Sequence, residues 1–154
     1  MLFRSYREKF ETSEARSVLG GRKILLASTD VHEHALFVIE RLLESSGAIV
    51  VNEGPERNPD EIAVAVGREK AEVLIVSTHN GMALDYANAL LEELEERNLS
   101  VPVFMGGVLN QKMEDKDMPI DVEGPLKDLG IRTGSDPSAL LKDLMVIVKK
   151  ETQR

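Results

Sequence analysis

The stretch Glu72-Val-Leu-Ile-Val-Ser77 decides the fold of this chain. Its central residues are all apolar, and the loop Ser77-Thr-His-Asn-Gly81 follows at once. A short apolar run that ends in turn residues is typical of a strand buried on both faces of a parallel sheet. Apolar residues then recur at helical spacing between Leu84 and Leu94, and glutamates occupy the opposite side. A buried strand followed by an amphipathic helix is the repeating unit of an α/β protein.

The same unit recurs on both sides of this stretch. Three further apolar runs predict strands, at residues 23–28, 48–51 and 101–105. Helices are predicted from Leu36 to a stop at Gly47, from a start at Asn58-Pro-Asp-Glu61, and from a start at Asp136-Pro137. We expect a long loop over residues 110–125, which are polar and aperiodic, and a short fifth strand at Ile131-Arg-Thr133.

The alternation of strands and helices predicts a flavodoxin-like α/β fold. We expect a doubly wound, five-stranded parallel sheet with strand order 2-1-3-4-5 and helices on both faces. The domain should span residues 22–154, because the regular pattern begins after Gly20-Gly21. Residues 1–21, with apolar positions at helical spacing, predict a short amphipathic arm that precedes this domain.

Composition narrows the classes of function. The chain has 154 residues, a formal net charge of −8 and no cysteine. An acidic chain does not favour binding to nucleic acid or to anionic membranes. The lack of cysteine excludes disulfides, thiol catalysis and Cys-ligated zinc. No apolar run is long enough to cross a bilayer, and no signal peptide is recognisable, so we expect a cytoplasmic protein.

A ligand site is expected at one edge of the sheet. In open α/β sheets ligands bind beyond the carboxyl ends of the strands, where the strand order reverses, which here is between strands 1 and 3. The loops after those strands contain all three histidines of the chain, His32, His34 and His79. The glycine patterns of dinucleotide-binding and P-loop sites are absent, and so is the nucleophile elbow of a hydrolase.

Three short motifs, each at the end of a predicted strand, carry a family resemblance. They are Asp30-Val-His32, Ser77-Thr-His79 and Gly106-Gly107. In these motifs the chain resembles the cobalamin (B12)-binding domain of the B12-dependent mutases and corrinoid methyltransferase proteins. The resemblance extends from about Arg22 to Leu109, and Gly134-Ser135 corresponds to the last glycine-rich turn of the family. Two positions differ: Ala35 replaces a glycine of the first motif, and His79 replaces a leucine of the second.

The resemblance implies a role for each motif. His32 would be the lower axial ligand of cobalt, and Asp30 would hold its other ring nitrogen. The nucleotide tail of the cofactor would lie between strands 1 and 3, where Ser77 would donate its hydroxyl and the glycines would allow a close approach to the backbone. The full set of implied cofactor-binding residues is Asp30, Val31, His32, Glu33, Ser77, Thr78, His79, Gly106, Gly107, Gly134 and Ser135.

The resemblance implies a specific function. It is closest to the small subunit or carboxyl-terminal domain of adenosylcobalamin-dependent mutases such as methylmalonyl-CoA mutase. The chain would hold the cofactor without contributing catalytic residues, and a separate large TIM-barrel subunit would bind the substrate. A homo-oligomer is left open.

Three alternatives remain. Corrinoid methyl-carrier proteins share the fold, but they usually have a helical domain before it, so the mutase interpretation is favoured. The chain could also be a non-catalytic cobalamin sensor or carrier. Finally, His32, His34 and His79 could form a zinc site with an open water position, which would suit hydrolysis.

Overall fold

The computed structural model describes residues 13–32, 34–134 and 136–152. Residues 1–12, which form most of the predicted arm, lie outside this range, and so do Glu33 and Ser135. The helices are α1 (Ser13–Leu19), α2 (His34–Ser45), α3 (Pro59–Glu69), α4 (Ala83–Glu96), α5 (Glu123–Asp128) and α6 (Pro137–Thr152). The strands are β1 (Lys23–Ser28), β2 (Ile49–Asn52), β3 (Val73–Thr78), β4 (Val103–Gly107), β5 (Asn110–Gln111), β6 (Ile120–Asp121) and β7 (Arg132–Gly134).

Five strands form one parallel sheet in the order β2-β1-β3-β4-β7. This is the predicted order, since β7 is the fifth strand of the sheet, and the fold prediction is confirmed. The central strand β3 is buried along its whole length, as its uninterrupted apolar run indicates. The predicted start of α3 is also found: Pro59 is its first residue, and the Glu61 carboxylate accepts a hydrogen bond from the Asn58 backbone N–H at 3.0 Å.

Each face of the sheet packs against its own set of helices. Successive side chains of a strand point to opposite faces, so every buried strand contributes to two core layers. Helices α1, α2 and α6 cover the first face, called here the α2–α6 face, where they pack on Ile24, Leu26, Ile75 and Phe104. Helices α3, α4 and α5 cover the second, the α3–α4 face, whose strand side chains are Leu25, Ala27, Leu74, Val76 and Met105.

Helix α1 is part of the α2–α6 face. Its residues Ala15 and Leu19 are fully buried in the core layer. The described end of the predicted arm is therefore packed against the domain.

The prediction of a long loop over residues 110–125 is wrong. Strands β5 and β6 pair there as a short antiparallel hairpin, and α5 begins at Glu123. The hairpin is attached to α4 by the buried amide of Gln111, which donates to the Asp85 carboxylate at 2.9 Å and accepts from the Asp85 N–H at 3.0 Å. Strands of two residues give no periodic sequence signal, because tertiary contacts rather than local pattern hold them.

Among the described helices, none is both long and apolar enough to span a membrane.

Candidate cofactor site

A row of four small residues crosses the carboxyl edge of the sheet. Ser28 of β1 pairs with Ser77 of β3, Ser77 pairs with Gly106 of β4, and Gly106 pairs with Gly134 of β7. On β1 and β3 this row continues the α2–α6 face, because Ser28 follows Leu26 and Ser77 follows Ile75 at the two-residue period of a strand. The core layer on that face therefore ends in positions with almost no side chain.

Three residues of the row, Ser77, Gly106 and Gly134, border a cavity of about 260 Å³. Strands β3, β4 and β7 contribute one wall, and helices α2 and α6 contribute the other. The residues that line it are Ala35, Leu36, Ile39, Ile75, Val76, Ser77, His79, Gly106, Gly107, Val108, Gly134, Asp136, Pro137 and Leu140. This largely apolar cavity with a few polar groups is the usual form of a small-molecule site.

Asp30 connects the loops after β1 and β3. Its Oδ1 accepts hydrogen bonds from the backbone N–H of His32 at 2.9 Å and lies 3.0 Å from Nδ1 of the same residue. Its Oδ2 accepts a hydrogen bond from the backbone N–H of His79 at 2.6 Å. Burial alone would raise the pKa of Asp30, but these hydrogen bonds outweigh it and hold the pKa below its usual value. The carboxylate is thus charged and fixed in place.

Ser28 supports the Asp30 loop from below. It is fully buried, and its hydroxyl lies within hydrogen-bonding distance of the carbonyl oxygens of Asp30 (3.0 Å) and His32 (3.1 Å). It also accepts a hydrogen bond from the Asp30 N–H at 3.3 Å. Sequence reasoning missed this residue, although a serine at a strand end two residues before an aspartate is a recognisable turn signal.

His32 and His79 lie side by side above the edge of the sheet. Their ring centroids are 5.0 Å apart, and the rings are tilted by 42°. The His32 side chain is 65% exposed, whereas that of His79 is 25% exposed. His32 therefore presents an imidazole to solvent while Asp30 holds the Nδ1 side of the ring, which leaves Nε2 as its outward nitrogen.

Two buried polar atoms at the site have no hydrogen-bond partner: Ser77 Oγ and His79 Nδ1. Buried polar groups are nearly always paired, so unpaired ones at a cavity indicate a place for a polar ligand. Gly107 lies beside them at φ +105°, and a Cβ there would come within 2.3 Å of the Thr78 carbonyl oxygen. Glycine is required at this position, because it lets the end of β4 lie close to Thr78 and His79.

The other predicted site residues lie in different surroundings. Val31 is exposed at the rim, and Thr78 is buried, where its hydroxyl is 2.9 Å from that of Thr29. Gly134 lies in the floor of the cavity. His34 is the exposed first residue of α2 and is not part of the cluster of Asp30, His32 and His79. Glu33 and Ser135 are outside the described residues.

Sequence reasoning also missed the helical wall of the cavity. The sequence predicts Leu36 and Ile39 of α2, and Pro137 and Leu140 of α6, only as parts of helices, whereas the structure places all four at the cavity. Both helices begin directly after strands that end in the row of small residues. The position of these helices directly after such strands was the sequence signal that could have identified them as walls of the site.

The sequence is similar to those of known proteins. The family model described as "B12 binding domain" matches residues 24–128. The chain is 31% identical over 81 residues to glutamate mutase sigma subunit 1 of Haloarcula marismortui, a match that covers 53% of this chain and 54% of that subunit. It is 27% identical over 133 residues to the 2-hydroxyisobutanoyl-CoA mutase small subunit of Aquincola tertiaricarbonis, covering 82% and 91% of the two chains.

A third relative is much longer than this chain. Over 79 residues, 51% of this chain, the sequence is 33% identical to the fused isobutyryl-CoA mutase of Paraburkholderia xenovorans. Those residues make up only 6% of that mutase. The chain thus spans a small part of the fused relative and about half of the glutamate mutase subunit.

A solved structure confirms the fold. The monomethylamine corrinoid protein of Methanosarcina barkeri superposes with a TM-score of 0.67 at 16% identity, covering 95% of this chain and 63% of that one. Because the family model spans more than half of the sequence and its motifs lie at the cavity described above, the chain belongs to the B12-binding domain family.

Proposed function

We propose that this chain is the cobalamin-binding subunit of an adenosylcobalamin-dependent mutase, in which His32 is the lower ligand of cobalt. The observation that carries the proposal is the pairing of Asp30 with Nδ1 of His32 at the carboxyl edge of β1, in a member of a B12-binding family. Support for the mutase role comes from relatives whose names describe mutase subunits.

The donor atoms fit such a cofactor. Cobalt accepts an imidazole nitrogen, and a neutral imidazole has one lone pair to offer. Asp30 accepts a hydrogen bond from Nδ1–H of His32, so this lone pair lies on Nε2, the outward nitrogen. The charged carboxylate also makes that nitrogen a stronger donor, as outer partners of metal-bound histidines do.

The cavity fits the nucleotide tail. The unpaired Ser77 hydroxyl would bind a polar atom of the tail, and Gly106, which lines the cavity without a side chain, would leave the backbone of β4 open to it. A Cβ on Gly106 would lie 3.5 Å from Leu140 Cδ1, within the space that the tail would need. His79 makes this cavity more polar than the leucine that the family motif has there.

The proposed division of labour leaves the reaction to another chain. When bound, adenosylcobalamin supplies homolysis of its cobalt–carbon bond, the chemistry on which such mutases depend. This chain's residues would bind the corrinoid, orient it through His32 and enclose its tail. A separate large subunit would bind and enclose the substrate.

A visible absorption titration with adenosyl- and hydroxocobalamin tests the proposal. We expect the protein to retain the colour through gel filtration. With ¹⁵N-histidine-labelled protein, the cob(II)alamin form should show in EPR the doublet splitting of one protein nitrogen, which the ¹⁴N base of the cofactor cannot give. His32→Ala should lose that splitting, whereas the matched control His34→Ala should keep it, because His34 lies outside the cluster. A colourless protein, or unchanged splitting in His32→Ala, contradicts the assignment.

The mutase role needs a second readout. The loaded chain can be mixed with the large subunit of the Aquincola 2-hydroxyisobutanoyl-CoA mutase. Rearrangement of the thioester that depends on both chains supports the mutase role. Transfer of the methyl group of bound methylcobalamin to a thiol acceptor supports the methyl-carrier alternative instead.

A further inference from the structure

Asp30, His32 and His79 form a cluster of side chains of the kinds that bind metal ions. Each offers one ligand atom, and these atoms all lie within 4.8 Å of one another. We propose that the corrinoid-free chain binds one Zn²⁺ ion at this cluster, and that Zn²⁺ and cobalamin exclude each other. The zinc part stands on the geometry alone, whereas the exclusion rests on the function proposed above.

The distances suit a small divalent ion. Asp30 Oδ1 is 3.0 Å from Nδ1 of His32 and 3.9 Å from Nδ1 of His79. Ligands about 2.0–2.1 Å from a tetrahedral Zn²⁺ ion lie roughly 3.3 Å from one another. The two separations from Asp30 lie on either side of that value, and all three ligand atoms lie within 4.8 Å of one another, so small movements of the imidazole rings would close the cluster around an ion.

The cluster is already held in position. The backbone N–H groups of His79 and His32 donate to Asp30 Oδ2 and Oδ1, and Oδ1 lies within 3.9 Å of Nδ1 of both imidazoles. His79 Nδ1 is buried and has no hydrogen-bond partner, so an ion there would supply the interaction that this atom lacks. Two imidazoles and one carboxylate are a usual ligand set for zinc, in which water occupies the fourth position. Because the His32 ring is exposed, solvent can reach that position.

Chemistry at His32 makes the two ligands exclusive. A neutral imidazole carries one proton and one lone pair on its two nitrogens. If Nδ1 binds Zn²⁺, the proton must move to Nε2, and Nε2 can then no longer donate to cobalt. Zinc at the cluster would therefore close the site to base-off binding of the cofactor through His32. These three ligands differ from the zinc site considered from the sequence, because Asp30 takes the place of His34.

Calorimetric titration of the EDTA-treated full chain with Zn²⁺ tests the proposal. We expect one ion per chain in the wild type and in His34→Ala, and an affinity lower by about tenfold or more in both His79→Leu and His32→Ala. Equal affinity in the wild type and His79→Leu, or loss of binding in His34→Ala, overturns the site. Failure of the wild type to bind Zn²⁺ also overturns it. Melting curves in EDTA show whether the variants fold.

A competition experiment tests the mutual exclusion of Zn²⁺ and cobalamin. Saturating Zn²⁺ should reduce retention of hydroxocobalamin by the wild type, and EDTA should restore it. His79→Leu should lose most of this inhibition. Simultaneous binding of both ligands overturns the exclusion. If the wild type binds Zn²⁺ but no cobalamin under any condition, the proposed function fails while the metal site stands, so the two failures are distinguishable.

Discussion

The two faces of the sheet have similar cores but end differently at the carboxyl edge. On the α3–α4 face the core layer continues into the segment with the β5–β6 hairpin and α5. The buried amide of Gln111 attaches this hairpin to α4. On the α2–α6 face the core ends in Ser28, Ser77, Gly106 and Gly134, with a cavity beyond them. The same five strands thus make a closed layer on one side and an open one on the other.

This difference shows how a parallel sheet separates stability from binding. A filled layer contributes burial of apolar surface, which is the main favourable term in folding. A layer that ends in a cavity buries less apolar surface, but it leaves a space in which a ligand can bind. Substitutions on the two faces should therefore differ in what they change, and the following predictions test that expectation.

The largest effect is expected at Gly107, where the edge of the sheet is tightest. Gly107→Ala combines φ +105° with a Cβ 2.3 Å from a backbone oxygen, and neither can be relieved by a side-chain movement. We expect it to lower the free energy of unfolding by about 3 kcal/mol or more. The control is Gly124→Ala, whose Cβ meets nothing within 4 Å and which lies in a helix. Urea denaturation measures both, and equal effects would contradict the expectation.

Truncation of one leucine on each face compares the layers directly. Leu90→Ala on the α3–α4 face removes a fully buried side chain and should cost about 3 kcal/mol. Leu140→Ala should cost less, about 1–2 kcal/mol, because the part of this side chain that borders the cavity has no packing partner to lose. Chemical denaturation of the pair measures the difference. A larger loss for Leu140→Ala would show that the cavity is not a weak point in packing.

The attachment of the hairpin is tested at Gln111. Gln111→Ala removes both hydrogen bonds to Asp85 and leaves the carboxylate and the N–H of that residue without these partners. We expect a loss of about 1–2 kcal/mol in the free energy of unfolding. Amide exchange should accelerate at Gln111 and Lys112 but not at Ser77. Unchanged exchange in the hairpin would mean that Gln111 does not fasten it.

The smallest effect concerns the pH dependence of stability on the α3–α4 face. Burial raises the pKa of Tyr86 above its usual value, with help from the charges of Glu61 and Asp60, and its hydroxyl donates to the Arg57 carbonyl oxygen. A raised pKa in the folded state means that stability is fully present below about pH 10 and falls as the pH rises further. Tyr86→Phe should reduce that fall, as denaturation at pH 8 and at about pH 10.5 would show. An equal loss of stability between these two pH values in the wild type and in Tyr86→Phe would contradict the prediction.

The sheet could be predicted from sequence because local pattern and tertiary structure agree in it. The apolar run of β3 is buried throughout, and α4 follows at the predicted spacing. Residues 110–125 could not be predicted, because β5 and β6 are two residues long and depend on Gln111 meeting a helix distant in sequence. That contact exists only in the folded chain.

The meeting of the loops after β1 and β3 was predictable, but their connections were not, and the cavity lies along β3, β4 and β7 rather than between β1 and β3. Strand ends brought His32 and His79 to one edge, as expected, but the helix that starts at His34 carries this residue away from them. Nothing in the sequence indicated that Asp30 would accept hydrogen bonds from both loops. Such a link depends on the separation of two neighbouring strands, which a one-dimensional pattern does not contain.

The row of small residues has a consequence for folding. Its four members come from four strands, spread from Ser28 to Gly134, and they become neighbours only when every strand is paired in register. Three of the four, Ser77, Gly106 and Gly134, line the cavity, so it is complete only when β3, β4 and β7 are paired. A ligand that binds there binds only the complete fold, and it stabilises that fold in proportion to RT ln(1 + [L]/Kd). Occupancy of the cavity would therefore protect β3, β4 and β7 together against unfolding.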